Sequence, residues 1–377
     1  MKPIRMVDLE GQYLKIKEEI DSAIQEVIDS TIYIGGEQVK SFGQELADYC
    51  NVPHVIPCAN GTDALQIAMM ALDLQPGDEV ILPVWTYVAT AEVIALLRLK
   101  PVFVDVEPDY FNIDPNKIEE LITDRTRCIV PVHLYGQCAD MEPILRIAQK
   151  HQLYVIEDTA QAIGADYTFS DGDTMKAGTM SQVGTTSFFP SKNLGCYGDG
   201  GAMIVPDDGL AAQIRIVANH GQTRRYYHDF IGVNSRLDAI QAAVLRQKLP
   251  HLDEYAAARN KVASSYDEAF ADIDRLITPK RDPKSTHVFH QYTMKTSGID
   301  RNHMQSWLAE KEVPSMIYYP VPLHKQKAYE MYNTDGRDFE VSNDLADRVI
   351  SLPVHTEMQD DQLAHIIDCV QEYFKTH

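Results

Sequence analysis

The runs HVIPC (54–58), EVILP (79–83), VFVDV (102–106), CIVPV (128–132) and YVIED (154–158) decide how this chain folds. Each is a short, continuous apolar stretch. The segments between them read as helices: Thr62 to Leu72, Tyr87 to Leu99, a helix beginning at Pro115 with Asp114 as its N-cap, and one around Met141–His151. A strand with one face in water alternates apolar and polar residues, whereas a continuously apolar strand is covered on both faces. Such strands alternating with helices predict β-α-β units, hence an α/β protein with a mostly parallel sheet covered by helices. TTSFF (185–189) and AMIV (202–205) add two strands, with a glycine-rich segment between them.

Upstream, Ile16, Ile20, Ala23, Ile24, Val27 and Ile28 form one stripe of an amphipathic helix over about 14–28, after which Gly35-Gly36 breaks the chain. Downstream, the alternation stops near Pro250. Residues 252–270 read as one long helix, and 361–374 as a terminal amphipathic helix with Leu363, Ile366, Ile367 and Val370 on one face. The expected division is a large domain over 1–250 and a small C-terminal α+β domain over 251–377, a size that suits a chain of 377 residues.

A charged fraction of 24% and a hydrophobic fraction of 45% exclude a disordered or low-complexity chain. The formal net charge of −21 opposes nucleic acid and anionic membrane surfaces as partners. The six cysteines include no C-x-x-C pair, so neither a zinc ribbon nor a redox dithiol is indicated, and no metal site is expected. The N-terminal MKPIRMVDLEGQ lacks the apolar core of a signal peptide, and no apolar run approaches the roughly 18 residues of a membrane span. A cytoplasmic protein with reduced thiols is the expectation.

Ligands of a parallel α/β sheet bind at the carboxyl ends of its strands, and three polar clusters fall there. Asn60-Gly61-Thr62-Asp63 lies between a strand and a helix N-terminus, where free N–H groups and the Thr62 hydroxyl favour a phosphate; a plain turn with an N-cap has the same sequence. It is not a G-x-x-x-x-G-K-[ST] loop, and no G-x-G-x-x-G follows the first strand. Asp158 closes YVIED, with Gln161 one helical turn later. A carboxylate there suits a protonated ring nitrogen such as that of pyridoxal phosphate, or simply caps the next helix. Lys192 stands between TTSFF and a run holding Gly195, Gly198, Gly200 and Gly201. A buried lysine whose amine loses its proton forms a Schiff base with a carbonyl; an ordinary surface lysine is the other reading.

In this order along one sheet, the motifs CANGTDALQIA (58–68), LPVWTYVATAE (82–92), PVHLYGQCAD (131–140), VIEDTAQAIGA (155–165), TSFFPSKNLGCYGDGGA (186–202), ANHGQ (218–222), GVNSRLDAIQAAVL (232–245) and YYPVPLHKQ (318–326) resemble the DegT family of nucleotide-sugar aminotransferases, a branch of the fold-type-I pyridoxal phosphate enzymes. The resemblance covers nearly the whole chain. It implies that Lys192 is the Schiff-base lysine and proton shuttle, and that Asp158 keeps the pyridine nitrogen protonated. It places Gln161 near the ring hydroxyl and Tyr87 stacked on the ring, with Gly61, Thr62 and Ser187 on the phosphate. It also implies a homodimer with shared active sites, in which Asn234 reaches the partner's phosphate, and L-glutamate as amino donor. A sugar dehydratase of the same fold replaces the lysine with histidine, and a non-catalytic binding protein would lack Lys192 or Asp158; both residues are present.

Within the family, LYGQCAD, SKNLGCYGDGG, GVNSRLD and YPVPLHKQ resemble the enzymes that aminate UDP-2-acetamido-3-keto-glucuronic acid. The product would be a 3-amino sugar for bacterial surface polysaccharide such as the O-antigen of lipopolysaccharide. A dTDP-3-keto-6-deoxyhexose and UDP-3-keto-GlcNAc are the alternative substrates. A uronate needs a cation for its carboxylate, and Arg236 is the candidate, with an interface salt bridge as its other reading. Tyr318 stands where the uronate enzymes would have histidine, which counts against a carboxylate. Tyr319 and His324 are further candidates for sugar or phosphate contacts.

Overall fold

The computed structural model describes residues 2–333 and 336–377. Its large sheet has seven strands: β1 (His54–Cys58), β2 (Glu79–Pro83), β3 (Lys100–Val104), β4 (Thr126–Ile129), β5 (Tyr154–Asp158), β6 (Val183–Ser187) and β7 (Gly201–Val205), in the order β1-β7-β6-β5-β4-β2-β3. The pairs β2–β3, β2–β4, β4–β5 and β5–β6 are parallel, and β7 runs antiparallel to both β1 and β6.

The continuous apolar runs have the predicted cause. Val80, Leu82, Phe103, Cys128 and Ile156 face one layer, built with the helices Gly61–Ala71, Ala89–Leu96 and Asp208–Ala218. Ile81, Val102, Val104, Ile129 and Val155 face the other, against the helix Met141–His151. Neighbouring residues of each strand point to opposite faces, and both faces are dry.

The long helix Leu252–Phe270 leads to a second sheet of three antiparallel strands, β8 (Leu276–Ile277), β9 (Tyr292–Thr296) and β10 (Val349–Leu352). Its own core joins Tyr266, Phe270, Met294, Leu352 and Ile366. The C-terminal third is not confined to that core: Leu323, Tyr329 and Phe339 pack into the first one.

Two expected helices differ. The stretch from Pro115 forms the 3₁₀ turns Pro115–Lys117 and Glu119–Leu121, with Asp114 accepting from the Asn116 amide at 3.0 Å. Its apolar residues Pro115, Ile118 and Leu121 recur every third position, the 3₁₀ period. The N-terminal helix is two, Leu9–Lys15 and Lys17–Ser30, broken at Ile16 where φ is −122° and ψ 31°.

Asp105, just past β3, ties the C-terminal third to the large sheet. Its buried carboxylate accepts from the Val341 amide (3.0 Å), the Ser342 amide (3.0 Å) and the Ser342 hydroxyl (2.6 Å), and so caps the helix Glu340–Arg348 from outside that helix. Leu345 and Ala346 of this helix pack in the cluster that holds Trp85, Tyr135, Tyr318 and Tyr319. Asp105→Ala leaves buried donors without an acceptor, and the expected cost is about 2–4 kcal/mol. A urea titration followed by fluorescence checks this; an unchanged midpoint would refute the tie.

Candidate active site

A cavity of about 690 Å³ opens at the carboxyl ends of β1, β2, β5 and β6, with walls from the turns that follow them and from the C-terminal third. An open cleft of about 790 Å³ lies at the opposite ends of the strands, beside Tyr154, Gln182 and Pro206. Its lining holds no lysine, arginine, histidine or cysteine. Size therefore does not select the site; the chemistry of the lining does.

The turn after β1 forms one wall. Asn60 Oδ1 accepts from the Asp63 amide at 2.8 Å and caps the helix Gly61–Ala71. The Gly61 and Thr62 amides open this helix, where no earlier turn supplies an acceptor. Asp63 is held by the Ser235 hydroxyl at 2.6 Å, and Ser235 accepts from the Ala59 amide at 3.1 Å. Space for an anion depends on glycine: a Cβ on Gly61 would lie 2.7 Å from Ser187 Cβ and 3.3 Å from its Oγ. Two helix-opening amides, the Thr62 hydroxyl and the Ser187 hydroxyl thus face one small space, a donor set that fits a phosphate.

The floor carries the charges. Asp158 is buried, with Thr90 Oγ1 donating to Oδ2 at 2.8 Å and the Ala160 amide to Oδ1 at 3.1 Å. Lys192 follows β6 in a turn closed by its own amide on the Phe189 carbonyl at 2.8 Å. Its amine has no hydrogen-bond or ion-pair partner among the described residues. Burial lowers its pKa from 10.5 to about 8, against the opposing pull of Asp158. Near neutral pH a useful fraction of this amine is therefore free to attack a carbonyl. A buried anion suited to a protonated ring nitrogen, a reactive amine and a phosphate cradle together fit pyridoxal phosphate.

Gln161 is fully engaged: Oε1 accepts from the Tyr135 amide at 2.8 Å, and Nε2 donates to Tyr319 Oη at 3.1 Å. Burial holds the Tyr319 hydroxyl well above the ordinary tyrosine range, so it is a neutral phenol. Tyr135, in left-handed backbone at φ 58°, donates to the Tyr318 carbonyl and accepts from Trp85 Nε1 at 3.1 Å. Tyr87 is 59% exposed, with its ring centroid 6.4 Å from that of Tyr319, so one face of the ring remains open to a flat ligand.

The cavity thus brings together Lys192, Asp158, Gln161 and Tyr87 with Gly61, Thr62 and Ser187, and with Tyr318 and Tyr319. Three sequence candidates lie elsewhere. Asn234 and Arg236 are exposed and do not line the cavity of their own chain. His324 is buried against Phe339, with ring centroids 4.6 Å apart, because Leu323 draws this turn into the large core. Residues that sequence reasoning missed are His290, Gln291, Tyr135 and Asp199. Burial, then the charges of Lys192 and Arg259, hold the His290 imidazole far below the usual histidine range, so it is neutral. The one local signal was a polar pair, His290-Gln291, set directly before the strand β9. Among the described lining residues Lys192 is the sole lysine or arginine, facing Asp63, Asp158 and Asp199.

The profile of the DegT/DnrJ/EryC1/StrS aminotransferase family matches residues 14–371. The UDP-2-acetamido-2-deoxy-3-oxo-D-glucuronate aminotransferase of Pseudomonas aeruginosa is 47% identical over 93% of this chain and 95% of its own length. A protein of Geobacillus stearothermophilus named pleiotropic regulatory protein is 43% identical over 99% of both chains. Among solved structures, S. venezuelae DesV in complex with a ketimine intermediate superposes with a TM-score of 0.95 at 37% identity, over 100% of this chain and 99% of that one. The chain belongs to the DegT/DnrJ/EryC1/StrS family and is a pyridoxal-phosphate-dependent sugar aminotransferase.

The Lys192 amine sets a pH dependence for cofactor uptake. Only its neutral form is nucleophilic, so uptake by the cofactor-free protein should rise about tenfold per pH unit below pH 8 and level off above it. Stopped-flow absorbance in the visible band measures this. A rate independent of pH between roughly 6 and 9 would contradict the assignment.

Proposed function

We propose that this member of the DegT/DnrJ/EryC1/StrS aminotransferase family moves the amino group of L-glutamate to C3 of a UDP-linked 2-acetamido-3-keto sugar, with the glucuronic acid form favoured. The observation that carries the reaction type is the pairing, in one cavity, of an unpartnered amine on Lys192 with the buried carboxylate of Asp158. Support for the sugar comes from the similarity to the Pseudomonas aeruginosa protein and from the 3-keto-sugar motifs of the sequence. Glutamate leaves as its 2-keto acid, and the C3 carbonyl of the sugar becomes an amine, a product suited to surface polysaccharide such as lipopolysaccharide O-antigen.

Pyridoxal phosphate, when bound, supplies a carbon that carries the amino group between the two substrates and a ring that spreads negative charge. The protein's residues do the rest. Asp158 keeps a proton on the ring nitrogen, and Thr90 and the Ala160 amide keep the carboxylate oriented. Gly61, Thr62 and Ser187 take the phosphate, Tyr87 covers the open ring face, and Gln161 directs Tyr319 toward the ring hydroxyl. Lys192 Nζ, when free, lifts a proton from one carbon and returns it to another. Tyr318 and Tyr319, from the second domain (251–377), close the cavity that the first (1–250) builds.

The working unit we infer is a homodimer with composite sites. A nucleotide sugar and glutamate are both anions, and one chain's cavity offers them Lys192 against three aspartates. Arg236 is exposed and without an ion-pair partner among the described residues, and it stands two residues beyond Asn234; both suit delivery to another chain's cavity. No described helix is long and apolar enough to cross a membrane, and we place the reaction in the cytoplasm.

The test is kcat/KM for the uronate and for its C6-hydroxymethyl counterpart, within a panel of UDP- and dTDP-linked 3- and 4-keto sugars. A charge-assisted hydrogen bond is worth on the order of 1.5–3 kcal/mol, so a contact from Arg236 predicts roughly a 10- to 150-fold preference for the uronate, erased in Arg236→Leu. Equal values in the wild type would remove the uronate, and amination of 4-keto sugars alone would remove the 3-keto reading. Absence of turnover with every sugar would favour a regulatory role, the one named for the Geobacillus stearothermophilus relative.

Composite sites predict complementation. Lys192→Ala chains mixed with Asn234→Ala chains, each inactive alone, should regain up to about a quarter of wild-type activity, because half the dimers are mixed and each holds one intact site. Mixed dimers that form and stay inactive would refute sharing.

A further inference from the structure

Like Lys192 and Lys295, Lys248 is a lysine whose amine burial pushes below its ordinary pKa, and nothing in the reaction uses it. It ends the helix Ala239–Lys248 and is 1% exposed. Its Nζ donates to the Gly195 carbonyl at 2.8 Å and lies 4.5 Å from the centre of the Tyr197 ring. No carboxylate pairs with it among the described residues. Burial lowers its pKa to about 8. An ammonium taken out of water against one carbonyl and one ring is a poor source of stability, and an apolar side chain of similar length commonly serves a core as well or better.

What Lys248 touches is the segment that carries Lys192. That segment is a tight knot: the Lys192 amide closes on the Phe189 carbonyl, and the Cys196 amide on the Phe188 carbonyl, both at 2.8 Å. Gly195 lies so close to Pro190 that a Cβ would sit 2.3 Å from its carbonyl oxygen. Lys248 grips the knot at Gly195, three residues past Lys192. About two turns earlier on the same helix, Gln241 grips it at Tyr197, with Oε1 accepting from the Tyr197 amide at 2.8 Å and Nε2 donating to the Tyr197 carbonyl at 3.3 Å. The helix is itself fixed in the core through Ala242 and Leu245 against Phe42 and Leu46.

We propose that Lys248, seconded by Gln241, is a positioning residue for Lys192, holding the turn that aims the lysine amine into the cavity. The proposal rests on Lys192 being the cofactor's attachment point. A shift of about 1 Å at a reacting atom costs up to about 100-fold in rate, so loss of one of two holds should cost about tenfold.

The test uses the full-length protein, with and without pyridoxal phosphate. Lys248→Met is expected to leave the melting temperature of the cofactor-free chain unchanged or higher. It should lower kcat and the rate of cofactor uptake about tenfold each, with KM for both substrates within about twofold of wild type. Lys248→Arg should recover most of both rates. Gln241→Leu, which removes no charge, should lower both rates in the same direction. Wild-type rates in Lys248→Met and in Gln241→Leu would overturn the proposal. So would a Lys248→Met chain that melts well below wild type or fails to fold, which would make Lys248 a stability residue. Borohydride reduction and peptide mapping separate the premise from the proposal: label away from Lys192 removes both, whereas label on Lys192 with wild-type rates in the variants removes the proposal alone.

Discussion

The electrostatic opposition between Lys192 and Asp158 constrains the rest of the molecule. The same burial that lowers the pKa of the amine would penalise the carboxylate, so the carboxylate has to be held by donors while the amine is left without acceptors. Thr90 and the Ala160 amide do the first. The second is done by geometry: Asp63, Asp158 and Asp199 line the same cavity, but among the described residues none pairs with the amine, and the other polar walls are phenols, amides and an imidazole, His290, held uncharged by burial and by the charges of Lys192 and Arg259. An ordinary histidine at position 290 would titrate close to neutrality and compete with the lysine for protons.

Both charges sit where backbone segments converge more closely than side chains allow. β7 enters between β1 and β6 against the direction of its neighbours, and Gly201 at its start pairs with both Cys58 and Ser187. A Cβ on Gly201 would lie 2.4 Å from the Asn60 carbonyl. Because this corner is bare backbone, the turn after β1 and the Ser187 hydroxyl at the end of β6 come close enough to face one space. The glycine-rich segment that reaches Gly201 begins at Lys192, so the amine and the cradle are joined by a short and doubly anchored chain.

The sheet was legible because its strands are apolar on both faces, a pattern that few other arrangements explain. The cradle, the carboxylate and the amine were legible because each sits at the end of such a strand. What escaped was contributed from afar. His290 and Gln291 come from the start of the central strand of a second sheet with no spacing relative to Lys192, and Tyr135 enters through a left-handed turn that its sequence does not announce. His324, a candidate for sugar or phosphate contacts, lies outside the cavity because its neighbour Leu323 anchors the turn in the large core. Pro115 misled because a helix N-terminus and a 3₁₀ turn share the same opening residues, and only the spacing of the later apolar residues separates them.

The charge of −21 poses a problem that the single chain leaves open. Its proposed substrates are anions, and its cavity presents one amine against three carboxylates. Neutral donors orient an anion well, but they do not draw it through a repelling field. The amides of Gly61 and Thr62 answer this for a phosphate held at the helix N-terminus, since aligned peptide dipoles act there as a fixed partial positive charge. Among the described residues no comparable device faces the tyrosine wall, where the proposed function puts the sugar. Arginines do exist outside the cavity: Arg224 and Arg225 on an exposed hairpin, each stacked on a tyrosine ring, and Arg236 nearby in sequence. On the composite-site reading these cations belong functionally to another chain's cavity, so that recognition of the sugar is an assembly property while the amine chemistry is a property of the fold.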